Sequence, residues 1–234
     1  HLVSPLMIGG SLQTLSKRLS SSGTPDSYRD IDAFYRPAFN QLLTSMSTLH
    51  DAGYCHDDIK PTNIFTNVES EWVVGDLGNV REVSHPYHSS RIWKDNGQLE
   101  DCRANDVIRA LQSYLKFIQL SMADDNEFNV ALLEGHEPMS RLFWWTLVHA
   151  QNMSATELHK RSILEYPGAE PRAELDDWFL EPTPPNTLAS LFLGQSATKL
   201  AVDHALMTRM SESSARWWGM VWLFGLPDST LCGV

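Results

Sequence analysis

Two stretches with helical periodicity, residues 31–52 and 105–122, constrain the fold more than any other feature of this sequence. In each stretch apolar residues recur every three or four positions, which predicts an amphipathic helix with one face in a core. The apolar stripe of the second stretch is the wider one, so we expect a central helix that is covered on most sides. A chain of 234 residues can bury such a core without covalent cross-links.

Capping residues and helix breakers predict where the helices begin and end. Ser11 is a typical N-cap residue and predicts a short helix over residues 12–19. Gly53 predicts the end of the helix over residues 31–52. Because its ring removes a backbone donor, Pro37 must lie in the first turn of that helix or kink it.

Between the two long helices, the pattern changes to short apolar pairs separated by polar turns. Residues 64–65 and 72–74 predict the strands of a small β-hairpin, whereas residues 81–98 have no periodicity and predict a long irregular loop. The sequence therefore predicts a mainly α fold with a small β-hairpin. Later stretches with helical character are residues 128–133, 139–151, 155–164 and 187–210, and a proline-rich surface connection is predicted at residues 167–185.

Composition argues against several classes of protein. A net charge of −11, without clustered Lys and Arg, argues against binding to nucleic acid. The most apolar run, residues 217–226, is about half as long as a membrane-spanning helix, so we expect no membrane segment there. It predicts a buried terminal helix or strand, with a partner-binding patch as the alternative. No signal peptide opens the chain, and because it begins at His1 rather than Met we expect it to be part of a longer protein.

The cysteines and histidines predict neither a disulfide framework nor a metal site. Cys55, Cys102 and Cys232 are too few and too widely spaced for such a framework, and without a CxxC pair a structural zinc site is not expected. A reducing compartment is therefore the expectation. His85 and His88 lie close together, but two histidines in a loop are a weak indication, and we predict no metal site there.

The residues that carry chemistry lie in two short motifs. Residues 56–63 read HDDIKPTN, and residues 76–78 read DLG. Pro61 makes the first motif a rigid turn, so the side chains of Asp58 and Asn63 can enter one cavity.

The second motif completes a set of oxygen ligands. Asp76 follows the predicted hairpin, at its end nearest the first motif. Together with Asp58 and Asn63 it offers the carboxylate and amide oxygens that suit Mg²⁺. Lys60 adds a positive charge that could stabilise a transferring phosphoryl group. The sequence thus predicts a site for phosphoryl transfer.

These two motifs at this spacing closely resemble the HRDLKPxN catalytic loop and the DFG triplet of Ser/Thr-type protein kinases. The resemblance extends in both directions along about the first half of the chain. Residues 2–12 resemble the last N-lobe strand and hinge, and residues 31–51 resemble the helix before the catalytic loop. Residues 106–111 resemble the start of the central helix, in which Asp106 would anchor the backbone of the catalytic loop.

The resemblance implies a protein-kinase-like C-terminal lobe of the α+β type. The last N-lobe strand and hinge would occupy residues 1–12, and the C-lobe would occupy residues 13–234. Within the lobe, the resemblance implies an activation-loop equivalent at residues 79–100 and a central helix from about residue 105.

The resemblance also implies a role for each site residue. Asp58 would accept or orient the proton of a substrate hydroxyl, and Lys60 would contact the γ-phosphate of ATP. Asn63 and Asp76 would hold Mg²⁺ on the nucleotide phosphates. The residues expected to contact the nucleotide itself are Leu6, Met7 and Phe65.

The sequence departs from the family pattern at several points. Asp57 stands where the family has the Arg that binds an activation-loop phosphate, so we expect no activation of that kind and interpret Asp57 as a turn residue. Leu77 replaces the Phe of the triplet, and we expect it to be a packing residue. We expect His56 to be structural as well, a buried ring bonded to the backbone. No Ala-Pro-Glu motif precedes Asp106, so the sequence does not predict a platform for protein substrates. Small-molecule or very selective peptide substrates remain alternatives. The Gly-rich loop, strand Lys and helix Glu that clamp ATP do not occur in this sequence, so an N-lobe or partner chain would have to complete the ATP site.

Three functions are compatible with these motifs. The first is an ATP- and Mg²⁺-dependent protein kinase acting on a protein or peptide in the cytoplasm or nucleus, with this chain as its catalytic lobe and poorly active alone. The second is a pseudokinase that serves as a scaffold or regulatory binding module. The third is a small-molecule kinase of the aminoglycoside-phosphotransferase type, against which Lys60 and Pro61 argue.

Overall fold

A computed structural model describes residues 7–23, 27–67, 71–167 and 198–207. Within these ranges the fold is mainly α, with two small antiparallel strand pairs, as predicted. The helices are α1 (Leu12–Ser22), α2 (Tyr28–Asp51), α3 (Arg91–Asp95), α4 (Cys102–Ser121), α5 (Asn126–Glu134), α6 (Pro138–Val148), α7 (Ala155–Leu164) and α8 (residues 198–207). The strands are β1 (Tyr54–Cys55), β2 (Ile64–Thr66), β3 (Trp72–Val74) and β4 (Arg81–Glu82).

The two long helices lie at the centre of the core, as their periodicity predicts. Most residues of α4 are buried, and one face of α2 packs against it. Helix α4 begins at Cys102 rather than near residue 105, because the side chain of Asp101 caps its N-terminus by accepting a hydrogen bond from the Arg103 N–H. Ser11 caps α1 in the same way, by accepting from the Thr14 N–H, as predicted.

Helix α2 contains Pro37 in its interior. Ser27 caps the helix, which begins at Tyr28, so Pro37 lies in the third turn, which excludes the first of the two predicted alternatives, a position in the first turn. Without an N–H, Pro37 leaves the carbonyl oxygen of Ala33 free of its helical partner. The hydroxyl of Tyr166 donates to that oxygen at 2.9 Å, which replaces the missing hydrogen bond.

The strands form two separate antiparallel pairs. In the predicted hairpin, β2 pairs with β3 and Ile64 lies opposite Val74. The other pair, β1 with β4, was not predicted, and it places Cys55 opposite Arg81. The prediction that residues 81–98 are irregular is wrong in part, since they contain β4, a 3-10 turn and α3. Elements of two to five residues are too short to produce a periodic pattern.

A buried ion pair joins α2, α4 and the end of α7. The guanidinium of Arg36 donates to both carboxylate oxygens of Asp32, at 2.8 and 2.7 Å, and to the carbonyl oxygens of Ser162 and Glu165. The hydroxyl of Tyr114, on α4, also donates to Asp32. Burial and the neighbouring Asp32 carboxylate raise the pKa of Tyr114 well above its ordinary value. These contacts hold α4 in a fixed position behind the catalytic loop.

Several predictions concern residues outside the described ranges. These are the apolar run at residues 217–226, nearly all of the proline-rich connection, and the parts of the predicted helix at residues 187–210 that flank α8. The division between hinge and C-lobe at residue 12 stays a prediction. Among the described residues, the structure has no helix that is both long enough and apolar enough to span a bilayer.

Candidate active site

The backbone of the catalytic loop is held by Asp106, a fully buried residue in the second turn of α4. Its carboxylate accepts hydrogen bonds from the N–H groups of His56, at 2.6 Å, and Asp57, at 2.9 Å. The ring of His50, near the end of α2, contributes a third contact at 3.3 Å. The structure therefore contains the anchoring contact that the resemblance implies for Asp106.

His56 connects the catalytic loop to the end of β3. Its ring is buried, and Nε2 lies 2.9 Å from the carbonyl oxygen of Gly75. The N–H of Asp58 approaches Nδ1 at 3.4 Å, so a ring protonated on Nε2 satisfies both contacts. The prediction of His56 as a structural residue bonded to backbone is confirmed.

The loop brings three predicted site residues together around one carboxylate oxygen. Oδ2 of Asp58 accepts hydrogen bonds from Nζ of Lys60 at 2.9 Å and from Nδ2 of Asn63 at 3.0 Å. The same amide group of Asn63 also donates to the main-chain oxygen of Asp58. Asn79 adds a longer contact to Oδ2, at 3.4 Å. Asn79 was not predicted as a site residue, although it directly follows the Asp-Leu-Gly triplet in the sequence.

The strand pair β2–β3 sets the distance between the two motifs. The N–H of Gly75 donates to the carbonyl oxygen of Asn63 at 2.8 Å, so the residue before Asp76 is bonded directly to the end of the catalytic loop. A Cβ atom at Gly75 would lie 2.7 Å from the ring of Phe65. Only glycine therefore allows this close approach without movement of the ring.

The Asp-Leu-Gly triplet lies at the surface of the described structure. Asp76 is exposed and has a left-handed backbone with φ of 56°, and its side chain does not cap the following 3-10 turn. Leu77 is 65% exposed, so the prediction that it packs in the interior is wrong. The left-handed residue reverses the chain into the turn Leu77–Asn79, which leaves Leu77 on the outside.

Two of the three residues expected to contact the nucleotide, Met7 and Phe65, lie in or beside β2. The N–H of Gly9 donates to the carbonyl oxygen of Thr66, and the N–H of Thr66 donates to that of Gly10. The hinge-like segment that begins at Met7 thus runs beside the strand that contains Phe65. Met7 and Phe65 are both half-buried. Leu6 lies outside the described residues.

The side chain and the carbonyl oxygen of Asp57 make contacts that were not predicted from the sequence. Its side chain is buried, and Oδ2 lies 2.9 Å from Nε2 of His88 and 3.1 Å from a guanidinium nitrogen of Arg81. Its carbonyl oxygen accepts a hydrogen bond from Arg109 of α4 at 2.7 Å. Asp57 is thus more than a turn residue. It joins the catalytic loop to basic residues of the segment that follows the triplet.

A disulfide between Cys55 and Cys102 lies beside this junction, with Cα atoms 6.0 Å apart. Three widely spaced cysteines predict no disulfide framework, and this single bond was not expected from the sequence. Cys55 and Cys102 are separated by 47 residues, and they meet because β1 leads directly into the catalytic loop while α4 begins next to it. Nothing in their spacing indicates this proximity.

Comparison with known proteins supports the kinase resemblance over part of the chain. No protein-family model matches the chain. Over 90 residues, 38% of the chain, it is 28% identical to the mitogen-activated protein kinases SLT2/MPK1 of Saccharomyces cerevisiae, MPS1 of Pyricularia oryzae and mpkA of Aspergillus fumigatus. The match covers 19%, 22% and 21% of these relatives, so the chain spans about a fifth of their length.

These matches confirm the resemblance to the protein-kinase-like superfamily. The mainly helical fold, with its small antiparallel strand pairs, is consistent with the C-terminal lobe of such a protein.

Proposed function

We propose that this chain is the catalytic lobe of an ATP- and Mg²⁺-dependent phosphotransferase of the Ser/Thr protein kinase type. The observation that carries the proposal is the cluster at Asp58, where Lys60 and Asn63 donate to one carboxylate oxygen. The loop that holds this cluster is bonded to the buried carboxylate of Asp106. Catalysis of phosphoryl transfer depends mainly on positioning and electrostatic stabilisation, and a preformed loop supports both.

The hydrogen bonds of Asp58 leave one of its oxygens available for a substrate. Within the described residues, all of its side-chain bonds involve Oδ2. Oδ1 can therefore accept the proton of a substrate hydroxyl as that oxygen attacks the γ-phosphate. The side chain of Lys60 is half exposed, so its ammonium group can move from Asp58 to the phosphate.

Asn63 and Asp76 fit the requirements of a magnesium site. Both offer hard oxygen ligands. Among the described residues, the side-chain oxygen of Asn63 accepts only a long hydrogen bond, 3.3 Å, from Thr62. The carboxylate of Asp76 is exposed and is not engaged in capping the turn that follows it. A bound Mg²⁺ would neutralise charge on the nucleotide phosphates, and these two side chains would hold it.

The remaining parts of the proposed site lie at the hinge and outside this chain. Leu6, Met7 and Phe65 would contact the nucleotide, and an N-lobe or a partner chain would clamp its phosphates. We therefore expect weak nucleotide binding and poor activity from the lobe alone. A protein or peptide substrate and a cytoplasmic or nuclear location belong to the same proposal.

A pseudokinase is the second candidate. It is favoured by the exposed position of the triplet, in which Leu77 is 65% exposed and Asp76 is not held by the turn it precedes. In a scaffold protein, this surface would serve for contact with a partner instead of metal binding.

Thermal unfolding with Mg²⁺·ATP tests the nucleotide site. A ligand present at ten times its Kd stabilises the folded state by about 1.4 kcal/mol, which raises Tm by about 3–6 °C for a chain of this size. We expect this rise for the chain, and its loss in Asn63→Ala and Asp76→Asn. The control Asp95→Asn changes an exposed residue of α3 and should retain the full rise. No rise at millimolar nucleotide, even with an N-lobe supplied, would contradict the proposal.

Phosphoryl transfer separates the two candidates. The variant Asp58→Ala should lower the rate of transfer from ATP to a peptide by about 10²–10⁴-fold and leave the thermal shift with Mg²⁺·ATP unchanged. If the wild-type protein with its N-lobe binds nucleotide but transfers no phosphate, the pseudokinase is correct. If Asp58→Ala loses nucleotide binding as well, Asp58 is a ligand or a structural residue and not the base.

A further inference from the structure

A second cluster of ligand-type side chains lies next to the catalytic loop. Asp57, His88 and Cys102 each contribute one ligand atom, and these three atoms lie within 4.8 Å of one another. Sγ of Cys55 is bonded to Sγ of Cys102. All four side chains are buried. They come from three segments that are distant in sequence, namely the catalytic loop with β1, the segment after β4, and the first residue of α4.

Asp57 has an unused ligand oxygen in this buried cluster. Its side chain is 3% exposed, and Oδ2 contacts both His88 and Arg81. Within the part of the chain that the structure describes, Oδ1 is buried and has no hydrogen-bond partner. A buried carboxylate oxygen without a partner is unfavourable unless a cation or a donor approaches it.

The ring of His88 is oriented as metal-binding histidines are. Nδ1 lies 3.0 Å from the carbonyl oxygen of Val83, which can only accept, so Nδ1 carries a proton. Nε2 lies 2.9 Å from the carboxylate of Asp57, which can only accept, so Nε2 donates a hydrogen bond there with a proton that a bound metal would replace. A backbone carbonyl on one ring nitrogen and a ligand position on the other is the usual arrangement of a histidine that binds a metal.

Reduction of the disulfide would place two thiols beside these groups. Disulfides are rare in the cytosol and nucleus, so in the compartment proposed above Cys55 and Cys102 would be reduced. Two thiolates around one Zn²⁺ lie about 3.8 Å apart, and a nitrogen and an oxygen ligand lie about 3.3 Å apart, for tetrahedral geometry at ordinary bond lengths. The Cα atoms of Cys55 and Cys102 are 6.0 Å apart, which allows their sulfurs to lie about 3.8 Å apart. Nε2 of His88 and Oδ2 of Asp57 are 2.9 Å apart, so only a small movement of His88 away from Asp57 is needed.

We propose that the reduced chain binds one zinc-type divalent cation through Cys55, Cys102, His88 and Asp57. A dithiol reductant breaks the sulfur–sulfur bond by exchange: its own two sulfurs become a disulfide, and Cys55 and Cys102 become thiols. When the metal binds, each thiol loses its proton, and Nε2 of His88 loses the proton that it donates to Asp57. The two thiolates and the carboxylate are balanced by the metal together with the guanidinium of Arg81, which lies 3.1 Å from Asp57. The metal then links the catalytic loop, the segment after the triplet and α4.

Cobalt and zinc titrations of the whole 234-residue chain test this site. After reduction with a phosphine under anaerobic conditions, Co²⁺ should produce thiolate-to-cobalt charge transfer and intense visible bands at one equivalent, and Zn²⁺ should displace it. In the same wild-type protein, Zn²⁺ should protect Cys55 and Cys102 from iodoacetamide, as read by peptide mapping, and should leave the labelling of Cys232 unchanged. These readouts do not depend on phosphoryl transfer or on ATP.

Single variants provide the matched comparison. Cys102→Ser should abolish the charge-transfer band, and His88→Ala should weaken cobalt binding by at least about tenfold. Cys232→Ser changes none of the four proposed ligands, and His85→Ala changes a residue outside the cluster. Both variants should bind cobalt as the wild type does. Absence of the band in the reduced wild-type chain would overturn the proposal, and so would zinc protection of all three cysteines alike. A reduced chain that stays unfolded with Zn²⁺ would show that the pair serves as a disulfide only.

Discussion

The catalytic loop and the Asp-Leu-Gly turn lie side by side, but the structure holds them very differently. The loop is bonded to α4 through the buried Asp106 and through Arg109, and the buried ring of His56 connects it to the end of β3. The turn that starts at Asp76 is exposed, and its leucine, Leu77, is 65% exposed.

This difference separates the two halves of the proposed active site. The half that would handle the substrate proton and the γ-phosphate is preorganised by the core of the lobe. Of the two proposed Mg²⁺ ligands, Asn63 belongs to this anchored loop, whereas Asp76 lies in the exposed turn. That turn is attached through Gly75, at the end of β3, and through Asn79. We infer that the turn with Asp76 becomes ordered through nucleotide, metal or an N-lobe, whereas the catalytic loop needs none of them.

The largest loss of stability is expected for Asp106→Ala, which removes the anchor of the catalytic loop. The substitution leaves two N–H groups of the catalytic loop without an acceptor in a buried position, which should lower the free energy of unfolding by about 3 kcal/mol or more. Asp106→Asn keeps one acceptor oxygen and should lose about half as much. Urea unfolding measures both. If Asp106→Ala costs no more than the exposed control Asp95→Ala, the loop is not anchored as described.

The next largest loss of stability is expected when Arg109, the second residue of α4 that anchors the catalytic loop, is replaced. It donates to the carbonyl oxygen of Asp57 at 2.7 Å and to the side chain of Gln98 at 2.6 Å. Arg109→Met should lower the free energy of unfolding by about 2 kcal/mol, and Arg109→Lys should recover part of that loss. Arg91→Met is the matched control, because Arg91 is almost fully exposed. Equal losses in the two methionine variants would remove Arg109 from the anchor.

A smaller loss of stability, which depends on pH, is expected when Asp101, the N-cap residue of α4, is replaced. Burial opposes the charge of Asp101, but hydrogen bonds from Arg103 outweigh this effect and lower the pKa of Asp101 below the ordinary value of an aspartate. Such a carboxylate stabilises the fold fully above that value and loses its contribution as the pH falls through the lowered pKa. Asp101→Ala should therefore cost about 1 kcal/mol near neutral pH and less below about pH 4, measured by urea unfolding. A cost that is constant down to strongly acidic pH would contradict this assignment.

The smallest effect is expected for Asp76→Asn. Asparagine tolerates the left-handed backbone, and the exposed side chain does not cap the turn, so unfolding free energy should change by less than about 0.5 kcal/mol. The same variant should lose the Mg²⁺-dependent part of nucleotide binding. A loss of more than about 1.5 kcal/mol without ligand would mean that the turn is built into the lobe, and the contrast with the catalytic loop would fail.

The sequence predicts those features that depend on periodicity or on a continuous motif. The long helices α2 and α4, the pair β2–β3 and the structural role of His56 all follow from local patterns. The convergence of Asp58, Lys60 and Asn63 follows as well, because a tight turn holds them within a few residues of one another.

Features that depend on contacts between distant segments could not be predicted. The pairing of Cys55 with Cys102 and the bond from Arg109 to Asp57 join residues about fifty positions apart, and no local pattern reports on them. Leu77 was misjudged for a related reason. An apolar residue in a motif predicts burial, but the left-handed backbone of Asp76 turns the chain so that it stays exposed.

Hydrogen exchange of the unliganded chain tests the contrast between the two halves most directly. The amides of His56 and Asp57 donate to the buried carboxylate of Asp106, so we predict that they exchange slowly, with protection close to that of the α4 core. The amides of Leu77 and Gly78, at the start of an exposed 3-10 turn, should exchange at nearly unprotected rates. Equal protection at both places would contradict the view that the lobe preorganises only the catalytic loop.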